Sequence, residues 1–218
     1  MLQSCCWSAR LFDMQAIVLS RHDFKETDQL VSLYTRERGK VKALAKGVKK
    51  ITSKNSGNLS MIALLEVAIE RGKELEHLTK VQPLKVFGNI FLDLEKLTLA
   101  AYMLKIIDDF ILPNEKDAKV FNLIASLFEF LDSTEKVGVL NLATAFIFKF
   151  WHCLGFGSED QKLKVWFESE WAKINSMNFA KNDQQKIHDS AIRFAEYHSG
   201  RKLEKFSGNV KMLGLNIL

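Results

Sequence analysis

The chain has 218 residues, 47% apolar and 26% charged, a composition that excludes disorder and leaves ample material for a hydrophobic core. Its longest mostly apolar stretch, residues 137–148, contains Asn141 and Thr144 and ends at Lys149, well short of the ~20 residues a membrane-spanning helix needs, so a soluble protein is expected. The net charge is +5, and two prolines with 11 glycines disfavour an all-β chain, because helix interiors exclude proline and lose about 1 kcal/mol at each glycine.

Residues 1–13 (MLQSCCWSARLFD) lack the apolar core and cleavage site of a secretory signal and read as an N-terminal extension. Cys5, Cys6 and Cys153 contain no CxxC pair and cannot all be bridged, which points to a reducing cytoplasm. From residue 15 to about 81 the pattern has a period of two. Residues 16–19 and 30–35 read as strands, and residues 36–39 as a turn in which Gly39 supplies positive φ. In the third strand, residues 40–46, alternation assigns Val41, Ala43 and Ala45 to the core and Lys40, Lys42 and Lys46 to the opposite face. A polar loop at 47–60 precedes a fourth strand, where Leu65, Val67 and Ile69 alternate with Glu66, Ala68 and Glu70. A fifth, at 75–81, ends before Pro83. Five short antiparallel strands suit a closed barrel, which removes exposed edges.

Beyond Pro83 the period becomes helical. Leu94, Leu97, Ala101 and Leu104 form one stripe behind a cap at Asp93, and Val120, Ile124, Leu127 and Leu131 a second. Leu140, Ala143, Ile147, Phe150 and Leu154 form a third, ending at Gly155. A last helix runs from about Asp183 to His198, with Gly200 in the stop position. Residues 157–182 are ambiguous, although Trp166, Phe167 and Trp171 need shelter. The predicted organisation is α+β: an extension (1–13), a five-stranded barrel (14–82) and an all-helical domain (83–218).

Charge is unevenly spread: +6 over residues 1–60, −5 over 61–135 and +4 over 136–218. Residues 36–54 alone hold Arg36, Arg38, Lys40, Lys42, Lys46, Lys49, Lys50 and Lys54 against Glu37. Such clustering is the footprint of a polyanion partner, since each neutralised phosphate releases counterions; a solvated basic loop is the plainer alternative. The three strand lysines are expected to project into water together, so that charge reversal there would leave the fold intact. Motifs for phosphate cradling, hydrolysis or metalloprotease chemistry are missing. The five histidines are scattered, and the Asp108-Asp109 pair reads as helix-end solvation rather than acid–base machinery. No catalytic residue, metal ligand or cofactor is assigned. Most of the helical phenylalanines are expected in the core, and Tyr34 in the barrel core or rim.

The run of residues 16–35 (AIVLSRHDFKETDQLVSLYT), followed by Gly39-Lys40 and by Ala43-Leu44-Ala45-Lys46-Gly47, resembles the opening of the bacterial DNA repair protein RecO family. Ala100-Ala101-Tyr102, Leu154-Gly155-Phe156 and the run at 197–203 (YHSGRKL) follow in the expected order. The resemblance implies an N-terminal OB-fold barrel, a helical C-terminal domain and a recombination mediator without enzymatic turnover. Such a protein binds single- and double-stranded DNA, anneals complementary strands, works with RecR, and helps load a RecA-type recombinase onto strands covered by single-strand-binding protein. On this reading the basic residues at 36–54 carry DNA. Arg201 and Lys202 are candidate contacts for the tail of single-strand-binding protein, with favourable charge at a helix C-terminus as the plainer alternative. A general ssDNA- or RNA-binding OB module fused to a protein-interaction domain remains the competing reading. Many family members carry a four-cysteine zinc module after the turn corresponding to Gly155-Phe156; residues 157–182 contain no cysteine, so a metal-free form is expected.

Overall fold

The computed structural model describes residues 12–50, 58–59, 62–157 and 161–206. Strands β1 (Phe12–Asp23), β2 (Gln29–Thr35), β3 (Gly39–Ala45), β4 (Ala63–Arg71) and β5 (Glu76–Val86) come first. They close into a barrel in the order β1-β2-β3-β5-β4. The pairings are antiparallel except for a short parallel contact of β3 with β5 at Ala43–Glu76 and Leu44–His77. This is the five-stranded Greek-key barrel of the OB fold. Val41, Ala43, Ala45, Leu65, Val67 and Ile69 are buried, as the period of two requires.

Two strands outrun their predicted ends. β1 starts at Phe12 and pairs with β4 along residues 12–16 and with β2 along 16–23, with a register shift between Val18 and Ser20. That bulge bends one strand enough to serve two neighbours and helps the sheet close. β5 continues to Val86 through Pro83, which sits opposite Leu65 where the β4–β5 register shifts; an irregular ladder tolerates the missing N–H.

The helices are α1 (Gly88–Phe91), α2 (Leu94–Phe110), α3 (Ala118–Ser133), α4 (Val139–Cys153), α5 (Gln161–Glu168), α6 (Trp171–Asn175) and α7 (Lys181–Ser199). The Asp93 carboxylate accepts from the N–H groups of Glu95 and Lys96 and so starts α2. Gly200, at φ 66°, ends α7. The stripe assigned to α2 is too narrow. Leu94 is exposed, whereas residues 98–104 are buried on every side, because α2 is the central helix, packed against β1, α1 and α4. The ambiguous segment supplies α5 and α6, whose Trp166, Phe167, Trp171 and Ile174 are buried. Phe148 of α4 gathers the rings of Phe167 at 5.3 Å, Phe194 at 5.6 Å and Trp166 at 6.5 Å. Trp171 Nε1 donates to Ser126 Oγ at 3.0 Å, so the indole is buried with its polar atom satisfied. Phe128, Phe146, Phe148 and Phe150 are fully buried, as expected for core phenylalanines.

His188 on α7 is fully buried. Its Nδ1 lies 3.0 Å from Thr144 Oγ1, and its Nε2 has no hydrogen-bond partner. Burial pulls its pKa down to about 4; the Asp189 carboxylate pulls more weakly the other way, and the Lys205 ammonium adds a little to the lowering. The unfolded chain, with an ordinary histidine near 6.5, takes up the proton first, so stability falls as pH drops from about 6.5 towards 4 and the loss then levels off. Acidification from about pH 7 to pH 5 should cost about 2 kcal/mol through this one group. Urea midpoints at the two pH values should show that loss in the parent chain and lack it in His188→Leu; an equal loss in both would remove His188 as its source.

Candidate nucleic-acid interface

Strand register sets out the outer face of the barrel. Across β1, β2 and β3 the rows are Ile17–Tyr34–Lys40, Ser20–Ser32–Lys42 and His22–Leu30–Leu44, on the side opposite Val41 and Ala43. The C-terminal end of α2 and the segment leading into α3 lie across the first two rows. The Tyr34 hydroxyl donates to the Asp117 carbonyl and accepts from the Asp117 N–H, both at 3.1 Å. Ser20 Oγ and Ser32 Oγ donate to the two Asp108 carboxylate oxygens at 2.6 and 2.7 Å.

Lys40 completes that cluster, which corrects the expectation that it projects into water with Lys42 and Lys46. Its side chain is 7% exposed, with Nζ 2.9 Å from Asp108 Oδ1, and it also donates to the carbonyls of Asp108 and Ile111. Burial pushes the Asp108 carboxyl pKa up, but the hydrogen bonds from Ser20, Ser32 and Lys40 outweigh it and hold the group below the usual carboxylate range. The neighbouring Gly39, at φ +72°, has room for no side chain: a Cβ there would meet the Glu115 carbonyl oxygen at 2.0 Å. The backbone of β3 is also bound, since the Lys40 carbonyl accepts from Asn114 N–H at 2.7 Å. Alternation placed Lys40 on the outer face correctly, but that end of the face is an interdomain seam.

The other basic positions divide by their partners. Arg36 is exposed, donates to Gln15 Oε1 at 3.2 Å and places its guanidinium 5.9 Å from the Phe121 ring. Arg38 pairs with Glu76 at 2.7 Å and Lys49 with Asp23 at 2.8 Å. Surface pairs of this kind are worth at most about 1 kcal/mol and leave both cations available to a polyanion. Lys42, Lys46 and Lys50 are exposed, and their ammonium groups make no ion pair or hydrogen bond with a described residue. Lys54 lies outside the described residues.

A second feature organises this end of the barrel. The β1–β2 turn, residues 24–28, is tied to the start of the β3–β4 loop: the Asp28 carboxylate accepts from Gly47 N–H at 2.8 Å, and the Thr27 carbonyl accepts from Lys49 N–H at 3.0 Å. Lys46, Lys49 and Lys50 are therefore carried by the same end as Lys25 and an exposed ring, Phe24. Sequence reasoning did not select Phe24. The available signal was its place in the β1–β2 loop, one of the loops with which OB folds hold oligonucleotides.

In the helical domain Arg201 serves the fold. Its Nη1 donates to the Asp109 carbonyl at 2.5 Å and its guanidinium lies 4.8 Å from the Phe110 ring, so it caps the C-terminal end of α2 rather than that of its own helix. Lys202 is exposed at a cavity of about 100 Å³ shared with Tyr102, Lys105, Phe110 and Leu203. Among the described residues no group of three His, Cys, Asp or Glu side chains could hold a metal ion. The segment after Gly155-Phe156 offers aromatic packing in place of thiolates, so its residues do not fit a zinc module. Among the described residues no helix is long and apolar enough to cross a membrane.

Comparison with known proteins agrees with the architecture. Residues 10–87 match the family model for the recombination protein O N-terminal domain, and residues 92–159 that for its C-terminal domain. Curated relatives named DNA repair protein RecO include those of Clostridium novyi, 30% identical over 78% of this chain and 64% of that protein, and Desulforamulus reducens, 30% identical over 54% and 46%. The protein of Heliobacterium modesticaldum is 33% identical over 53% of this chain and 42% of its own length. The matches thus span from about two fifths to about two thirds of these relatives. With both domain models matched in order over a barrel and a helical domain, the chain belongs to the recombination protein O (RecO) family.

Proposed function

We propose that this chain is a recombination mediator of DNA repair that binds single- and double-stranded DNA, anneals complementary strands and helps load a RecA-type recombinase onto strands coated by single-strand-binding protein. It acts by binding alone, without enzymatic turnover or a cofactor, in the bacterial cytoplasm at the nucleoid. The observation that carries the reading is the group of exposed lysines, Lys42, Lys46 and Lys50, which make no ion pair or hydrogen bond with a described residue, on the barrel of a RecO-family chain. Clustered exposed cations repel one another, and a phosphate backbone relieves that repulsion with release of its counterions. Contacts of this type position a strand without reading its bases.

Contacts with RecR and with the acidic, apolar tail of single-strand-binding protein belong to the same proposal. The cavity beside Lys202 has Tyr102 and Leu203 in its wall, an apolar floor for the side chains of such a tail, while its rim mixes Lys202 and Lys105 with Asp109 and Glu204, both within 4.0 Å of Lys105, so the apolar contact carries this part of the proposal. Strand annealing measured with bare oligonucleotides and with oligonucleotides coated by single-strand-binding protein tests the reading. Acceleration in both settings is expected. Tight binding with no annealing would favour a general ssDNA- or RNA-binding OB module instead.

A further inference from the structure

Phe24 opens the β1–β2 turn, directly after the end of β1, with 46% of its surface exposed. The turn that holds it is closely bonded. The N–H groups of Phe24 and Lys25 both donate to the Asp28 carbonyl, at 3.1 and 3.4 Å, and Thr27 Oγ1 donates to the Asp28 carboxylate at 3.1 Å. Asp23, at the end of β1, accepts from Gln29 Nε2 at 3.1 Å and from Lys49 Nζ at 2.8 Å. The ring is therefore presented by a braced turn, in which its position is set before any ligand arrives. Lysines flank it in slight excess over Asp23, Glu26 and Asp28 in or beside the same turn: Lys25 Nζ is 5.6 Å from the ring centroid, and Lys46, Lys49 and Lys50 extend from the segment that is bonded to this turn.

An isolated exposed aromatic is ordinary, but a rigidly held ring beside exposed lysines, of which Lys46 and Lys50 make no ion pair or hydrogen bond with a described residue, has the two parts that single-strand binding requires. Cations follow the phosphates, and a flat apolar surface receives a base. We infer that Phe24 is a stacking platform for one base of single-stranded DNA, an assignment that rests on the DNA-binding reading above and adds to it a preference for unpaired strands. A duplex keeps its bases stacked on one another, so it can use the lysines but not the ring. With the ring nearly half exposed, a base can lie against it while Lys25 meets the adjoining phosphate.

The test uses the full chain and its Phe24→Ala and Phe24→Trp variants. The probes are an oligothymidylate carrying one 2-aminopurine, whose fluorescence reports stacking, and a blunt duplex of the same length. Phe24→Ala should bind the single strand about tenfold more weakly, with an unchanged salt slope, unchanged duplex affinity and loss of the fluorescence change on binding. Phe24→Trp should restore affinity and signal. Unchanged single-strand affinity in Phe24→Ala, or an equal loss on duplex, would overturn the stacking assignment while leaving the lysine site standing. If the parent chain bound neither probe, the DNA-binding reading would fail and the assignment with it. Phe24 is exposed on a turn, so circular dichroism should show all three proteins folded.

Discussion

Replacing Lys40 with methionine should lower the unfolding free energy by about 3 kcal/mol, against less than about 0.5 kcal/mol for the same change at exposed Lys42. Both lysines lie on β3 two residues apart and on the same face, and only their surroundings differ. Lys40 is enclosed by Asp108 and the carbonyls at the end of α2. Methionine keeps most of the volume but leaves the Asp108 carboxylate with two hydroxyl donors and no cation in a partly dry seam. Removing one partner of a buried pair costs several kcal/mol because the other charge stays uncompensated. Lys40→Met combined with Asp108→Asn should therefore cost less than the two single changes added together. Urea unfolding would show the loss as a lower midpoint, and a second transition would mean that barrel and helical domain had separated. A cost below about 1 kcal/mol for Lys40→Met would show that the pair contributes little to holding the two domains together.

The same residue marks where the sequence stops being legible. Period-two alternation located β3, its core residues and its outer lysines, because that information is local. Which part of an outer face another element covers depends on a contact between β3 and the end of α2, 68 residues later. Nothing local to Lys40 or to Asp108-Asp109 announces it. The aspartates read as an ordinary helix end, and only the fold shows that Asp108 turns into the seam while Asp109 stays exposed. α2 was misjudged in the same way: its stripe is a true signal, but a helix buried between a barrel and other helices is apolar nearly all round, which periodicity understates. Residues 157–182 resisted assignment because α5 and α6 are only eight and five residues long and show too few turns for a period. Gly39 and Gly200 were readable, each through the positive φ it supplies.

Reversing Lys42, Lys46 and Lys50 to glutamate should abolish most DNA binding while leaving the fold untouched. This set replaces one that would have included Lys40, whose reversal would bring a second carboxylate against Asp108 and confuse unfolding with lost affinity. The three chosen side chains are exposed and have no described partner, so the unfolding midpoint should barely move. On single strands each phosphate contact contributes about −0.7 to the slope of log affinity against log salt, so losing three flattens it by about 2. Carried from about 1 M salt, where the counterion contribution vanishes, down to about 0.1 M, that change weakens binding by about 100-fold. Charge repulsion should add to this, and the single and duplex forms should both suffer, since both present phosphates. The Phe24 variant behaves oppositely, with affinity lost on single strands only and the slope retained, so the two sets of measurements separate cations from ring. If the triple variant stays folded and binds with unchanged affinity and slope, the strand passes elsewhere, and the lysines of β3 and its loop are a solvated surface or a protein contact.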